Sequence, residues 1–170
     1  MNAYTNLARE SISYYLENKK IMPIPAGLPD VFYNTQAGCF VSLHLPDGEL
    51  RGCIGTVEPT KENLGSEIIS NAVAAAMRDP RFPPLANEEL ETLDISVDVL
   101  SEPEPIPDLA GHNPKKFGLI AIYRGRSGLL LPDLEGVDTA EDQLSIVLQK
   151  GGISPLDDYK LLRFNVTRHH

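Results

Sequence analysis

The segment Leu50–Thr56, which reads LRGCIGT, is where residue types and spacing most strongly suggest chemistry. Its cysteine, Cys53, stands between Gly52 and Gly55, and a glycine weakens a strand unless the strand bulges or something approaches its backbone closely. A ligand is one candidate for that approach. A cysteine reacts as its thiolate, which neighbouring cations stabilise. The segment therefore predicts a functional centre with Cys53 as the reactive residue.

A predicted β-hairpin carries this segment. The stretches Phe40–Leu45 and Glu49–Val57 indicate two strands, and the Asp-Gly pair at positions 47 and 48 is typical of a two-residue hairpin turn. If that pair forms the turn, the pairing register places Ser42 opposite Cys53.

The same register groups four polar residues, Ser42, His44, Arg51 and Cys53, on one face of the hairpin, with His44 opposite Arg51. The other face is predicted to lie against the core and carries Val41, Leu43, Leu45, Leu50 and Ile54. Cys53 and His44 are the candidate catalytic pair, with the thiolate as nucleophile or covalent carrier and the imidazole as its base. Arg51 is expected to hold an anionic group of a small-molecule or protein substrate.

Two other interpretations fit the same segment. In the first, the strand and its glycines capture a peptide or partner protein without bond chemistry, so that the protein is a binding module. In the second, Gly52, Cys53 and Gly55 only permit tight packing against the second helix. We favour the enzyme over the binding module, and replacement of Cys53 by serine separates the two.

Two further groups of charged residues are weaker candidates. Asp79 and Arg81 lie in the sequence DPRFPPL, where an Asp-Pro turn with a nearby arginine is also typical of a closed helix end and a tied loop. Arg124 and Arg126 belong to a predicted turn at 124–127 and could hold an anion, although basic hairpin tips are commonly just solvated. The full candidate substrate-binding set is Arg51, Ser42, Gly52, Gly55, Asp79 and Arg81.

The rest of the chain predicts an α+β fold, an antiparallel sheet with helices packed on it. Apolar residues at helical spacing predict three helices. The first covers 2–18, and the second begins after an N-cap at Thr60 and ends at the Asp-Pro pair at 79 and 80. The third covers 139–150 and ends at two glycines. Strands are predicted at Asp94–Leu100, Gly118–Tyr123, Gly128–Leu131 and Tyr159–Val166. We expect one domain over 1–170, with a Pro-rich connection near 101–116 dividing two unequal lobes and a ligand-binding cleft between them.

Composition narrows the classes of partner. The 170 residues carry 15 Lys and Arg against 24 Asp and Glu, a net charge of −9, which disfavours nucleic acid and anionic membranes as main partners. No apolar run approaches the roughly 20 residues of a membrane span, and the polar start of the chain is unlike a secretory signal. We therefore expect a cytoplasmic protein with two free cysteines. No metal-binding or nucleotide-binding motif occurs, so no metal or cofactor is predicted.

Several stretches resemble the AMMECR family, named for a human chromosomal region associated with Alport syndrome, intellectual disability, midface hypoplasia and elliptocytosis. They are GCFVSLHLPDGELRGCIGT at 38–56, NAVAAAMRDPRFPPL at 71–85, ELETLDISVDVLSEPEPI at 89–106 and GLLLP at 128–132. The chain departs from the family pattern at Val57, where an aromatic residue is expected, in DLEG after GLLLP, and in LQKGGI, which lacks a cysteine before the lysine. No role for the C-terminal segment is therefore carried over from the family pattern.

This resemblance implies a two-lobed α+β protein with LRGCIG lining a cleft between the lobes, and it implies no particular reaction. In microbes, relatives are fused to or encoded beside Memo-like proteins and radical S-adenosylmethionine enzymes. By analogy, the resemblance suggests these two kinds of protein as partners in a three-component system.

Overall fold

The computed structural model describes residues 2–170. Within these residues there are four α-helices, α1 Ala3–Asn18, α2 Val31–Asn34, α3 Leu64–Met77 and α4 Ala140–Gly151, together with a 3₁₀-helix, Asn87–Thr92. The eight strands are β1 Cys39–His44, β2 Leu50–Thr56, β3 Asp94–Leu100, β4 Glu104–Ile106, β5 Gly118–Tyr123, β6 Arg126–Leu130, β7 Lys160–Phe164 and β8 Val166–His169. No helix within these residues is both long and apolar enough to cross a membrane.

The chain divides into two compact units. The first runs up to Leu100 and includes Thr167–His170, and the second is Ser101–Val166. Each unit contains one four-stranded sheet, with the order β2-β1-β3-β8 in the first and β4-β7-β5-β6 in the second. The described strand pairs are antiparallel, which confirms the predicted α+β class with two sheets in place of one.

In the first unit, α1 and α3 pack on the sheet and on each other. Helix α1 begins at a capping box. The Asn2 side chain accepts from the backbone N–H of Thr5, and the Thr5 hydroxyl accepts from the backbone N–H of Asn2. The buried core takes one stripe of each helix and alternate strand residues: Leu7, Ala8, Ile12, Val41, Leu43, Ile68, Ala72, Ile95 and Val97. Strand β2 lies at one edge of this sheet, and the LRGCIGT segment forms it entirely.

In the second unit, α4 packs against β5 and β6. Its core contains Leu119, Ala121, Leu130, Val147, Leu148 and Leu161. Thr139 caps the N-terminus of α4, where its side chain accepts from the backbone N–H of Asp142, and Gly152 ends the helix in the left-handed region.

The predictions for α1, α4 and β3 are confirmed, and four details are wrong. Asn63, not Thr60, caps α3, because the Thr60 side chain is bound to a buried glutamate instead. The turn between β5 and β6 contains two residues, at 124 and 125, rather than four. The connection at 102–116 includes strand β4, and the predicted strand Tyr159–Val166 is two strands that belong to different sheets.

Candidate functional site

The hairpin loop between β1 and β2 is one residue longer than predicted. The backbone N–H of Gly48 donates to the carbonyl of Leu45 at 2.8 Å, and that of Leu45 donates to the carbonyl of Glu49 at 2.8 Å. Gly48 has a φ of 92°, a conformation that glycine adopts without strain. The loop therefore contains residues 46–48, a three-residue turn closed by a left-handed glycine.

A bulge further along the hairpin restores the predicted register. His44 pairs with Leu50, the register then shifts between Leu43 and His44, and Ser42 pairs with Cys53. The extra residue in the loop shifts the strand pairing by one position, and the extra residue in the bulge shifts it back. The predicted pair of Ser42 and Cys53 is therefore confirmed, and the predicted pair of His44 and Arg51 is wrong.

Cys53 is a free, half-buried cysteine with a hydroxyl directed at its sulfur. The Ser42 hydroxyl donates to Cys53 Sγ over 3.3 Å across the β1–β2 pair. A donor to sulfur stabilises the thiolate relative to the thiol, because the thiolate is the stronger acceptor. The structure thus gives Cys53 one polar contact of the kind that an active thiol uses.

The backbone of Cys53 is held by two side chains that follow α3. The Asp79 carboxylate accepts from the Cys53 N–H at 3.0 Å, and the Arg81 guanidinium donates to the Cys53 carbonyl at 3.4 Å. Asp79 also accepts from the Arg81 side chain at 2.8 and 3.0 Å and from its backbone N–H at 3.0 Å. We call this arrangement the Asp79–Arg81 clamp.

The clamp places opposite charges at the edge of the sheet. The Asp79 side chain is 2% exposed, and hydrogen bonds from Arg81 hold the pKa of its carboxyl far below the ordinary range. The hydrogen bond to Asp79 in turn raises the pKa of Arg81, and the negative charge of a Cys53 thiolate contributes in the same direction. The Arg81 side chain remains 56% exposed, so its guanidinium is accessible from solvent beside the Cys53 carbonyl.

Arg51, the residue predicted to hold an anionic group, is paired with an acid of the protein itself. Its guanidinium binds the carboxylate of Glu89 through two hydrogen bonds of 2.9 and 3.1 Å, and its side chain is only 9% exposed. The contact with Arg51 lowers the pKa of Glu89. Glu89 also accepts from the backbone N–H of Ala86, so this ion pair ties β2 to the 3₁₀-helix. The structure therefore commits Arg51 to an internal contact.

His44 is half-buried at the end of β1 and lies two residues from Ser42. Its backbone pairs with Leu50 on one side and with Asp94 on the other. Within residues 2–170, no hydrogen bond joins His44 to Cys53. The structure therefore places the predicted base on the strand that pairs with that of Cys53, two residues from the partner of Cys53, with no described hydrogen bond between the two side chains.

Both glycines of the segment are required by packing. A Cβ on Gly52 would lie 2.3 Å from the carbonyl oxygen of Ala75 in α3, and one on Gly55 would lie 2.2 Å from the ring of Phe40. Gly52 thus lets the strand approach the helix backbone, as the packing interpretation predicted. Neither glycine needs a ligand to explain it.

A buried carboxylate supports the end of the segment, and the sequence analysis missed it. Glu67 on α3 is fully buried and accepts from the hydroxyl of Thr56 at 3.0 Å. It also accepts from the backbone N–H groups of Thr60 and Lys61 at 2.6 and 3.0 Å. Asn71, one turn later, donates to Thr56 and to the carbonyl of Cys39. Polar residues four apart on an otherwise apolar helix face are the signal that points to this network.

Comparison with known proteins agrees with this architecture. The AMMECR1 family model matches residues 5–169. A protein of Thermotoga maritima is 47% identical over 167 residues, which cover 98% of this chain and 96% of that protein. A protein of Clostridium acetobutylicum is 46% identical over 167 residues, and the chain spans 35% of the length of that relative. The crystal structure of an uncharacterised protein from Pyrococcus horikoshii superposes with a TM-score of 0.87 and 33% identity over 97% of this chain and 88% of that one. The chain belongs to the AMMECR1 family.

Proposed function

We propose that the protein is a thiol-dependent enzyme component in which Cys53 acts as nucleophile or covalent carrier. The observation that carries this proposal is the set of contacts around one residue. The sulfur of Cys53 receives the Ser42 hydroxyl at 3.3 Å, and its backbone N–H is bound by a buried carboxylate at 3.0 Å. A thiol held in a fixed position beside a donor and a cation is suited to react with a bound electrophile.

The second cysteine shows by contrast what an inert thiol looks like in this chain. Cys39 is fully buried, and burial raises the pKa of its thiol to about 12. Its sulfur lies near the Asn71 amide in the core and has no route to a substrate. Of the two thiols, Cys53 is therefore the one that a substrate can reach.

The chemistry requires a substrate with an electrophilic carbon. In the proposed step, the Cys53 thiol gives its proton to water or to His44, and the sulfur electron pair forms a bond to that carbon. The electron pair displaced from the carbon moves to a carbonyl oxygen or departs with a leaving group, which takes up a proton. Arg81 replaces Arg51 as the group that holds a negative charge on the substrate, because its guanidinium is exposed and lies beside Cys53.

We also propose that the chain works with Memo-like proteins and radical S-adenosylmethionine enzymes. The basis for this proposal is the analogy with microbial relatives that are fused to or encoded beside such proteins, and the acidic chain favours a protein or small-molecule partner over nucleic acid.

Genetic complementation with Cys53→Ser tests the proposal. A host that lacks its own family member is complemented with the wild-type chain or the variant, and metabolites are compared by mass spectrometry. The proposal expects the wild type to restore the profile and Cys53→Ser to leave it as in the deletion strain. Cys39→Ser is the matched control and should restore the profile, because Asn71 can donate to a hydroxyl as it does to the thiol.

Equal thermal stability and abundance of the two variants are required for the comparison. If Cys53→Ser restores the profile as well as the wild type does, the nucleophile is excluded and the segment is part of a binding module. A partner-binding assay with the same variant then shows unchanged affinity.

A further inference from the structure

The sulfur of Cys53 has a single hydrogen-bond partner among residues 2–170, the Ser42 hydroxyl at 3.3 Å. The imidazole of His44, the predicted base, forms no hydrogen bond or ion pair within the same residues. A thiol must give up its proton before it reacts, because the thiolate is the nucleophile. Within the protein, the hydrogen-bonded route for that proton therefore begins at Ser42.

Ser42 and His44 project from the same face of β1. The pairing of β1 with β3 is regular, with Ser42 opposite Ser96 and His44 opposite Asp94. The register shift in this region concerns only the pairing of β1 with β2. Because side chains two residues apart on a regular strand share a face, His44 lies on the face where Ser42 meets Cys53.

The Ser42 hydroxyl is the nearer target of the His44 ring. Two residues of a strand lie about 6.8 Å apart along its axis. This is less than the roughly 7 to 8 Å diagonals that aromatic and long side chains bridge across strands. Cys53 lies a further strand spacing away, about 4.8 Å across the sheet. The hydroxyl of Ser42 thus stands between the ring of His44 and the sulfur.

The charged groups near His44 come from three elements. On β3, Asp94 lies directly opposite His44. On β2, Arg51 is bound to Glu89. On α1, Arg9 lines a small cavity together with Asp94, and its guanidinium donates to two backbone carbonyls. Both arginines are held by internal contacts, so a proton taken up by the ring faces a carboxylate.

We propose that Ser42 relays the proton of Cys53 to His44, so that the imidazole acts as a base through the hydroxyl. This inference rests on the function proposed for Cys53. The thiol proton moves to the Ser42 oxygen while the hydroxyl proton moves to a ring nitrogen of His44. The S–H bond and the first O–H bond break, and a new O–H bond and an N–H bond form.

The products of this step are a thiolate, an intact hydroxyl and an imidazolium. In that state the Ser42 hydroxyl donates to the sulfur, as it does in the structure, and accepts from the ring of His44. The thiolate is then ready to attack the electrophilic carbon of a substrate. Ser42 is therefore a catalytic residue in this account, because it exchanges a proton with the reacting sulfur.

A double-mutant cycle on the rate of Cys53 alkylation by iodoacetamide at neutral pH tests the relay. Ser42→Ala and His44→Ala should each slow the reaction by about threefold or more, since each interrupts the route of the proton. The chain that carries both changes should react no more slowly than Ser42→Ala, because His44 has no route to the sulfur without the hydroxyl. Two effects that multiply, or a His44→Ala rate equal to that of the wild type, would overturn the relay.

The dependence on pH separates proton transfer from packing. At about pH 10 the thiol ionises without help, so the difference between the wild type and His44→Ala should close. A difference that persists there shows that the imidazole acts by packing, which overturns the relay. If His44→Ala does not fold, His44→Gln removes the base with less loss of volume and takes its place.

Ser96→Ala is the matched control. It removes a hydroxyl from the same face of the sheet, on the other side of Ser42 from Cys53. Its alkylation rate should equal that of the wild type. If Ser96→Ala slows the reaction as much as Ser42→Ala does, any hydroxyl on this face has the effect and the relay is wrong.

The wild-type rate distinguishes this inference from the proposed function. A wild type that reacts no faster than free cysteine refutes the activated thiol and the relay together. A wild type that reacts faster, with the effects of Ser42→Ala and His44→Ala multiplying in the double variant, retains the activated thiol and refutes only the relay.

Discussion

The Asp79 carboxylate and the backbone N–H of Cys53 are joined by a 3.0 Å hydrogen bond that closes the free edge of β2. An edge strand leaves backbone donors and acceptors without a strand partner, and proteins commonly cover such groups. Here the cover is an acidic side chain that brings Arg81 with it. The same contact therefore protects the edge, fixes the position of Cys53 and delivers a positive charge to its side.

Replacement of Asp79 should destabilise the fold. In Asp79→Ala, the Cys53 N–H loses its acceptor, and the 2% exposed carboxylate leaves a gap beside Arg81. We expect a loss of about 2–4 kcal/mol in the free energy of unfolding, because several hydrogen bonds to a buried charge are removed together. Urea unfolding followed by circular dichroism measures it. A loss below about 0.5 kcal/mol, the size of an ordinary surface substitution, would show that the clamp is incidental.

Stability should fall in acid partly because of Asp79. The folded state holds the pKa of this carboxyl below that of the unfolded chain, so the unfolded state binds the proton more readily. The stabilisation is complete above the unfolded pKa of about 3.9 and is lost as pH falls through the folded value. Asp79→Asn has no such group. The difference in unfolding free energy between wild type and Asp79→Asn should therefore be constant above about pH 5 and shrink below about pH 4; parallel curves down to the lowest pH would contradict this.

The two glycines of the segment should differ in their tolerance of alanine. Gly52→Ala drives a methyl group to 2.3 Å from a backbone carbonyl of α3, which cannot move without the helix. In Gly55→Ala the three nearest atoms, the closest at 2.2 Å, all belong to the ring of Phe40, so the clash is with a half-buried side chain rather than with backbone. We expect Gly52→Ala to cost about 2–3 kcal/mol or more and Gly55→Ala clearly less. Thermal melting of both variants ranks them, and the reverse order would refute the packing role of Gly52.

Arg51 should matter for stability and not for the thiol. Arg51→Met removes the ion pair with Glu89 but retains much of the side-chain volume, and we expect a loss of about 1–3 kcal/mol. The rate of Cys53 alkylation in the folded protein should equal that of the wild type, because Arg51 is engaged elsewhere. Glu89→Gln removes the other partner of the same ion pair. It should lower stability to a similar extent and also leave the alkylation rate unchanged. If Arg51→Met slows Cys53 alkylation strongly and Glu89→Gln does not, Arg51 acts directly on the thiol, which contradicts this prediction.

The sequence was informative where contacts are local. The alternation of β3, the spacing in α1 and the glycine end of α4 each depend on a few neighbouring residues, and each prediction is confirmed. The predicted pairing of Ser42 with Cys53 is also confirmed, but the loop and strand geometry that produces it differs from the predicted two-residue turn. A three-residue loop and a bulge offset each other, and nothing in the residue types specifies that both occur.

The contacts that complete the site are distant in sequence and escaped prediction. Asp79 lies two residues past the end of α3 and binds the neighbouring Arg81, but its bond to Cys53 spans 26 residues. The partner of Arg51, Glu89, is 38 residues away. Charge alone cannot identify such partners, because each residue has many candidates of opposite sign, and only the tertiary fold selects one. This is why the leading role was predicted for Arg51, which the fold pairs with Glu89, rather than for Arg81, which contacts the carbonyl of Cys53.

The most direct test of the central claim is the rate of iodoacetamide alkylation of Cys53 at neutral pH, followed by intact mass. Cys39 is buried and serves as an internal control that should stay unlabelled in the folded protein. We expect the wild type to react severalfold faster than free cysteine, and Ser42→Ala and Arg81→Met each to react about three- to tenfold slower than the wild type, because each loses a group that stabilises the thiolate. A wild-type rate at or below that of free cysteine, unchanged in both variants, would contradict an activated thiol at Cys53.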